Sequence, residues 1–288
     1  MQVIPVLDLL DGHAVRAVRG ERTAYRPIQS RLAATSEPLA IARALLDASG
    51  ARTLYIADLG AILGRGAHVS TLAALCAALP GIHIWIDAGF ADYASMRALF
   101  ERIDAIGQSI EPRSSEPASQ PYGQPYTQPD NQPIIQPASQ PDNEPGGHAA
   151  RTGLATLVPV FGTESLRDIH ALRAAQTAGL APILSLDHRA GELLAAAELE
   201  RSSAWWPSRV IAMTLDQVGS YAGPDLATFE RIRARAAAHT TVIGAGGIRN
   251  RADMTAAART GATAWLVASA LHDRQIGSAL TGSCSDSW

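Results

Sequence analysis

The sequence predicts an α/β protein with the (β/α)8 TIM-barrel fold, a single domain over residues 1–288 that is built from two half-barrel repeats. Three observations favour this fold. Eight short apolar runs alternate with helix patterns, segments in one half of the chain resemble segments in the other, and 288 residues is a usual length for one barrel. A doubly wound open sheet also alternates strands with helices, but it usually has fewer strands and an opening GxGxxG motif, which this sequence lacks.

The eight runs are β-branched and apolar along nearly their whole length, as expected for parallel strands that are buried on both faces. They comprise residues 3–7, 53–57, 82–86, 156–160, 182–186, 209–213, 241–244 and 264–267. Between them, Ala- and Leu-rich amphipathic patterns predict helices. These helices are expected over residues 38–48, 69–79, 93–101, 164–177, 191–200, 225–238 and 251–260.

A low-complexity segment at residues 108–147 interrupts the barrel pattern with repeated Gln-Pro pairs. Proline removes backbone donors and disfavours helix in the residue before it, and the polar residues between the prolines cannot form a core. The segment is therefore predicted to be a disordered or polyproline-type insertion within the barrel domain. A proline-rich docking site is the alternative, but no clean PxxP motif with basic neighbours accompanies the repeats.

Two pairs of segments indicate an internal duplication. Residues 86–96 align without a gap to residues 244–254, and residues 6–12 resemble residues 185–191. The first and third strands therefore correspond to the fifth and seventh, which is the relationship expected of two fused half-barrels.

Composition excludes several classes of function. The net charge of −3 leaves no basic stripe for nucleic acid. The two cysteines, Cys76 and Cys284, lie in no CxxC or Cys/His spacing, so neither a disulfide framework nor a metal site is predicted. The first residues lack the basic region of a signal peptide, and no apolar stretch approaches the roughly 20 residues that span a bilayer. We therefore expect a cytoplasmic protein with no membrane or nucleic-acid partner, and no pattern identifies a partner protein.

Two aspartates are candidate catalytic residues. Asp8 and Asp187 end apolar strands at repeat-related positions, so both are expected at the barrel mouth, where enzymes of this fold place their active sites. A pair of carboxylates suits general acid–base chemistry, because unequal burial leaves one protonated and the other ionised. The alternative for each aspartate alone is a cap of the following turn.

A phosphate site is predicted at the ends of the last two strands. Gly246 and Gly247 lie in a glycine-rich junction after the seventh strand, and Ala268 and Ser269 open a short helix after the eighth. Loops at these places in barrels commonly bind phosphate through backbone N–H groups. Glycine lets the backbone approach the phosphate oxygens. Two ordinary tight turns are the alternative.

Several motifs together resemble the HisA/HisF family of histidine biosynthesis. They are Ile-Pro-Val-Leu-Asp-Leu at residues 4–9, Asp-Gly-His-Ala-Val-Arg at 11–16, Ser-Leu-Asp at 185–187, Met-Thr at 213–214, Gly-Ser-Tyr-Ala-Gly-Pro-Asp at 219–225 and Gly-Ala-Gly-Gly-Ile at 244–248. They follow in family order over nearly the whole chain apart from the insertion. The Val-Arg and Gly-Pro-Asp segments look more like the ProFAR isomerase than the related cyclase, which indicates a divergent relative of the isomerase.

The resemblance implies an Amadori-type aldose–ketose isomerase that acts on a phosphorylated aminosugar. It implies that Asp187 is the general acid that opens the sugar ring, that Asp8 is the base that takes the C2 proton, and that Thr214 assists. It also places Arg16 at the substrate and implies neither a metal nor another cofactor.

Departures from the family pattern suggest an altered substrate. The isomerase binds a second phosphate at a glycine-rich turn after the third strand and a Gly-Thr after the fourth. The chain keeps the Gly-Thr as Gly162-Thr163, but the turn reads Asp87-Ala88-Gly89, and an ionised Asp87 would repel a phosphate dianion. Arg19 lies where the family often has a neutral amide and is a candidate for binding an acidic group.

These departures leave two alternatives to the histidine-pathway reaction itself. One is a paralogue with an altered substrate, since relatives of the isomerase are found with tetrahydromethanopterin-type one-carbon pathways. The other is a barrel that binds a phosphorylated metabolite without turnover. Two further side chains stay open: Asp58 is either a third active-site carboxylate or a loop cap, and His188 is either an active-site residue or an ordinary loop residue.

Overall fold

The computed structural model describes residues 1–110, 154–195 and 198–277, and the eight predicted strands are all present in it. They are β1 (Gln2–Leu10), β2 (Thr53–Asp58), β3 (His83–Asp87), β4 (Thr156–Gly162), β5 (Ile183–Arg189), β6 (Arg209–Thr214), β7 (Thr241–Ala245) and β8 (Ala264–Val267). Each strand pairs in parallel with the next, and β8 pairs with β1, so the sheet closes on itself. Closure leaves the ladder without a free edge and confirms the predicted barrel.

The helices follow the strands around the outside of the barrel. They are α1 (Pro38–Ser49), α2 (Val69–Ala78), α3 (Tyr93–Ile110), α4 (His170–Thr177), α5 (Glu198–Arg201), α6 (Leu226–Arg235), α7 (Arg251–Arg259) and α8 (Ser269–His272). One further helical turn, Leu59–Ile62, follows β2 directly. The helix predicted over residues 164–177 begins only at His170, because residues 164–169 form the turn that leads out of β4.

Two apolar cores hold the barrel together. The larger core lies between the strands and the helices, and the smaller one fills the barrel interior with alternate strand residues. The interior residues include Ile4 and Val6 of β1, Trp85 of β3 and Ile183 of β5. Because strand side chains alternate between faces, the inward positions nearer the carboxyl ends include Asp8, Asp87 and Asp187. Those positions define the floor of the barrel mouth.

Two tight hairpins follow β1 and β5 in the same way. The strand His13–Arg16 pairs back onto β1 through the turn Asp11-Gly12, and Glu192–Leu193 pairs back onto β5 through Ala190-Gly191. All four turn residues have positive φ, as a two-residue type I′ hairpin turn requires. The equivalent hairpins give the predicted repeat a structural counterpart.

The helix predicted over residues 191–200 is wrong for its first part. The type I′ turn sends the chain back along β5, and helical structure begins only at Glu198. Residues 192–200 consist of Glu, Leu and Ala, which are good helix formers, so their composition predicts a helix. The turn before them is accessible because Gly191 adopts positive φ without strain.

The predicted Gln/Pro insertion over residues 108–147 falls almost entirely outside the described residues, as does Cys284. The chain just before β4 contacts the helix α2, since the Ala155 N–H donates to the Cys76 carbonyl at 2.9 Å. Within the described ranges, every helix is too short or too polar to cross a membrane.

Candidate active site

An open cleft occupies the mouth formed by the carboxyl ends of the strands. Its wall includes Asp8 of β1, Asp87 of β3 and Asp187 of β5, together with the loops that follow β7 and β8. This is the end of the barrel where the fold places active sites. Asp8 and Asp187, predicted as an acid–base pair, are therefore brought to one cavity.

Asp187 lies at the bottom of the cleft and is only 6% exposed. The Ser185 hydroxyl donates to its Oδ1 at 2.6 Å, and the Glu164 backbone N–H donates to its Oδ2 at 3.2 Å. Burial, and then the charge of Asp87, raise the pKa of Asp187 to about 7, although its hydrogen bonds act in the opposite direction. A carboxyl group with this pKa holds a proton in a large fraction of molecules at neutral pH.

Asp8 lies at the equivalent place on β1 and is partly exposed to the cleft. Loss of solvent around it raises the pKa of Asp8 to about 7. A carboxylate that is poorly solvated and has a pKa near neutrality is a stronger base than an ordinary aspartate. Asp8 and Asp187 thus have the proton affinities that acid–base chemistry at neutral pH needs.

Asp87 is a third carboxylate in the same cluster. The buried Tyr55 hydroxyl of β2 donates to its Oδ2 at 3.1 Å, and the Gly89 backbone N–H donates to its Oδ1 at 3.0 Å. Burial and the charges of Asp87, Asp187 and Asp8, in that order, raise the pKa of Tyr55 well above its usual range. The turn residue Gly89 thus directs its N–H at a carboxylate of the chain itself.

The cluster exists because β4 ends in a glycine. Gly162 has the inward position between β3 and β5, and a Cβ built there would lie 2.8 Å from the Asp187 Oδ2 and 3.2 Å from the Asp87 Oδ2. Any larger residue would displace one of the two carboxylates. The Gly162-Thr163 pair therefore shapes the cluster: the Asp187 N–H donates to the Thr163 hydroxyl at 2.9 Å.

The opposite side of the cleft carries the predicted phosphate residues. Gly246 and Gly247 follow β7 with φ of 87° and 83°, and they line the wall together with Ala268 and Ser269 after β8. Within the part of the chain that the structure describes, no hydrogen bond occupies the backbone N–H of Gly247 or of Ser269. The two loops therefore offer free backbone donors on one wall, a suitable arrangement for an anion.

Neighbouring backbone atoms leave no room for a side chain at Gly246 and Gly247. A Cβ on Gly247 would lie 2.2 Å from the Gly223 carbonyl oxygen, and one on Gly246 would lie 3.0 Å from the Thr214 carbonyl oxygen. The loop after β7 thus packs directly on the loop after β6. This contact fixes the position of the free N–H groups in the cleft wall.

Several predicted site residues lie off the cleft wall. Arg16 forms a 2.8 Å ion pair with Asp273 and donates to the Tyr221 hydroxyl at 2.7 Å, while Arg19 is exposed in the following loop. Thr214 is buried, with its hydroxyl 3.5 Å from Asp225 Oδ2. Three further predicted residues, Gly89, Gly162 and Thr163, do not line the cleft but contact Asp87 or Asp187, as described above.

The two side chains left open by the sequence both have structural contacts. Asp58 is fully buried and accepts from the Ala61 and His68 backbone N–H groups and from the His68 ring, which makes it a loop cap. His188 points away from the cleft, and its Nε2 lies 3.2 Å from Glu200. Neither residue lines the cleft.

Sequence reasoning missed other residues of the wall. Tyr55, Arg189, Tyr221 and Arg249 all line the cleft. Tyr55 could have been found from its place in β2, three positions before the strand's carboxyl end, if the inward face of that strand had been known. Arg189 is the last residue of β5, and Tyr221 and Arg249 lie on loops, where periodicity carries no information. No group of three or more His, Cys, Asp or Glu in residues 1–110, 154–195 and 198–277 is arranged to hold a metal ion.

Comparison with known proteins gives a consistent picture. The family model described as histidine biosynthesis protein matches residues 2–108 and 162–277. The match stops at residue 108, where the sequence predicts the Gln/Pro insertion to begin. Both catalytic candidates, Asp8 and Asp187, and the phosphate candidates lie inside the matched ranges.

Three curated relatives match shorter segments. An uncharacterized protein of Methanocaldococcus jannaschii is 44% identical over 66 residues, which is 23% of this chain. Two ProFAR isomerases, named for an imidazole-4-carboxamide with two 5-phosphoribosyl groups, are also similar. That of Herpetosiphon aurantiacus is 36% identical over 102 residues (35% of this chain), and that of Bacillus cytotoxicus is 33% identical over 90 residues (31%). The aligned segments span 29%, 39% and 34% of the three relatives.

Proposed function

Because this chain belongs to the histidine biosynthesis protein family, we propose that it is an aldose–ketose isomerase, which rearranges a phosphorylated aminosugar in an Amadori-type reaction. The observation that carries the proposal is the pair Asp8 and Asp187 in one cleft, each with a pKa raised to about 7. The ProFAR isomerase names of two relatives support the reaction type.

The proposed mechanism divides proton transfer between the two aspartates. Asp187 donates a proton to the ring oxygen of the aminoaldose and opens the sugar to its protonated imine. Asp8 then removes the proton from C2, which gives a neutral enol-amine. The enol-amine gains a proton at C1 while its C2 hydroxyl loses one, and this gives the aminoketose. Since Asp187 must be protonated and Asp8 ionised, and both pKa values lie near 7, turnover is expected to be highest near neutral pH.

A phosphate group of the substrate is proposed to bind at Gly246, Gly247, Ala268 and Ser269. The free N–H groups of this wall face the same cleft as the carboxylates. A phosphate held there would anchor one end of the sugar and bring its reacting carbons over Asp8 and Asp187. Binding through a non-reacting phosphate is a common way of orienting a substrate.

The other end of the cleft favours a substrate with one phosphate. Asp87, Asp187 and Glu164 line that end, and the Gly89 N–H that a second phosphate would need already donates to Asp87. A dianion placed beside these carboxylates would be repelled. We therefore infer that the chain prefers a monophosphorylated aminosugar to the bisphosphorylated intermediate named for its relatives. Arg16, Arg19 and Thr214 lie off the cleft wall. We therefore propose that they act on the substrate or the catalysis only through neighbouring residues.

The proposed reaction is tested by direct conversion. The purified chain would be incubated with monophosphorylated aminoaldoses and with the bisphosphorylated ProFAR intermediate, and the aminoketose products measured by NMR. We expect turnover of at least one monophosphate, with a maximum near pH 7, and at least tenfold lower kcat/KM for the bisphosphate. Efficient turnover of the bisphosphate would refute the preference for one phosphate. Tight binding without conversion of any compound would favour a non-catalytic binding protein instead.

The phosphate site predicts a specific stabilisation. Inorganic phosphate is expected to raise the Tm of the parent chain, because it binds only the folded state. Gly246→Asp places a negative charge among the free N–H groups and should abolish this rise, as should Ser269→Asp, which avoids the left-handed backbone of Gly246. Gly64→Asp is the matched control, since Gly64 also has positive φ, has open space around it and lies off the cleft wall. An unchanged phosphate effect in both cleft variants would place the anion site elsewhere.

A further inference from the structure

Two of the three carboxylates meet at a place where their charges must interact. The Oδ2 atoms of Asp87 and Asp187 both approach the inward face of Gly162, where no side chain separates them. Both residues are buried, so little water screens them. Two neighbouring carboxyl groups that are both shielded from water do not ionise independently, and one of them keeps its proton to higher pH.

The surroundings of Asp187 offer little compensating positive charge. Asp87 faces it from β3, Glu164 from the loop after β4, Asp8 from β1 and the Tyr55 hydroxyl from β2. On its own strand the nearest cation is Arg189, whose guanidinium lies beside Gly20 at the rim. Among the described residues, no Lys, Arg or His forms an ion pair with Asp187.

We propose that Asp87 is a positioning residue that keeps the proton on Asp187, so that Asp187 enters the reaction as the acid while Asp8 enters it as the base. The proposal rests on the proposed isomerase for the reaction, but the location of the proton is a property of the chain alone.

The hydrogen bonds favour Asp87 as the ionised member of the pair. Tyr55 and the Gly89 N–H both donate to its carboxylate, and a backbone N–H can only donate. On Asp187 the backbone N–H of Glu164 is more distant, at 3.2 Å, and the partner at 2.6 Å is the Ser185 hydroxyl, which can rotate to accept a proton from a neutral carboxyl group. The pair therefore has a preferred state with a charged Asp87 and a protonated Asp187.

This asymmetry separates the roles of two aspartates that the fold treats alike. Asp8 and Asp187 end equivalent strands and lead into equivalent hairpins, and the pKa of each is raised to about 7. Burial alone gives no reason for one to be the acid. The negative charge of Asp87 acts on Asp187 and is absent from the causes that raise the pKa of Asp8.

The test is a carboxyl ¹³C NMR titration of the full chain, labelled at aspartate and without substrate. The Asp187 resonance is assigned by its loss in Asp187→Asn. We expect its midpoint to fall by roughly one pH unit or more in Asp87→Asn, because the like charge is removed. Asp87→Ser removes the same charge with a smaller side chain and should give the same direction if the asparagine variant folds poorly. Asp104→Asn, at an exposed position of α3, is the matched control and should leave the midpoint unchanged.

An unchanged Asp187 midpoint in folded Asp87→Asn and Asp87→Ser would overturn the proposal. Its failure is distinguishable from failure of the proposed function, since the titration requires no turnover. If the Asp187 midpoint shifts but the chain converts no aminosugar, the proposed isomerase is refuted, while the proposed effect of Asp87 on the protonation of Asp187 still holds. In an active enzyme, Asp87→Asn should also move the basic limb of the kcat profile to lower pH, which a merely structural role would not do.

Discussion

Replacing Asp187 with asparagine is expected to lower kcat by roughly 10² to 10⁴, the usual cost of losing one general acid or base. Asp8→Asn should cause a loss in the same range. Asparagine keeps the shape of each side chain but holds no titratable proton, so it can neither open the sugar ring nor take the C2 proton. Since neither residue is proposed to hold the phosphate, KM should change far less than kcat.

The matched control for these variants is Asp11→Asn. Asp11 lies in the hairpin turn directly after β1, is exposed, and has positive φ, which asparagine also adopts readily. It undergoes the same chemical change close to the cleft without touching the proposed chemistry. Parental activity in both the Asp8 and Asp187 variants would end the acid–base assignment. An equal loss in Asp11→Asn would show that the assay reports general damage to the hairpin.

Asp187→Asn is also expected to stabilise the folded chain at alkaline pH. The folded pKa of Asp187 is raised to about 7, above the ordinary value of 3.8, so the folded state binds more protons than the unfolded state between these values. Stability therefore falls as the pH rises from about 4 to 7, and the full cost of the buried charge is present above pH 7. Removing that cost should increase the free energy of unfolding by a few kcal/mol, roughly 2–4 after allowance for its lost hydrogen bonds.

Urea denaturation at pH 8 and at pH 5 measures this effect. The gain in Asp187→Asn should be larger at pH 8 than at pH 5, where most of the parent's Asp187 is already protonated. A variant that is less stable than the parent at pH 8 would show that the hydrogen bonds of the carboxylate outweigh its desolvation. Together with the loss in kcat, a gain at pH 8 would mark Asp187 as a residue kept for function at the expense of stability.

The strands and the positions of Asp8 and Asp187 could be predicted from sequence because their signals are local. Continuous apolar runs define strands that are buried on both faces, and a carboxylate directly after such a run must lie at one end of the sheet. The resemblance of residues 6–12 to residues 185–191 then placed Asp8 and Asp187 at equivalent strand ends. The structure places both in the same cleft.

The carboxylate cluster could not be predicted, because continuous apolar runs do not reveal which residues point inward. Tyr55 lies in such a run, and only the closed barrel shows that its hydroxyl reaches Asp87. The sequence predicts that Asp87 disturbs a phosphate site, but it does not show that the Asp87 side chain also approaches Asp187 over Gly162. This contact depends on the absence of a side chain on β4.

Contacts between distant parts of the chain were also beyond the sequence. Arg16 was expected at the substrate, but it pairs with Asp273 and Tyr221, which come from loops near the other end of the chain. From its sequence position, an arginine near a barrel mouth is equally suited to bind the substrate and to form an ion pair within the chain. The partner that decides between them is fixed only when the barrel closes.

Removal of the C2 proton tests the central claim most directly. The C2–H signal of a phosphorylated aminoaldose that binds the chain would be followed by ¹H NMR in the presence of the parent and of Asp8→Asn. We predict that the parent converts C2 to the carbonyl of the aminoketose, while Asp8→Asn binds the same compound and removes the proton at least about 10² times more slowly. Removal of the C2 proton by Asp8→Asn at the parental rate would contradict the assignment of Asp8 as the base.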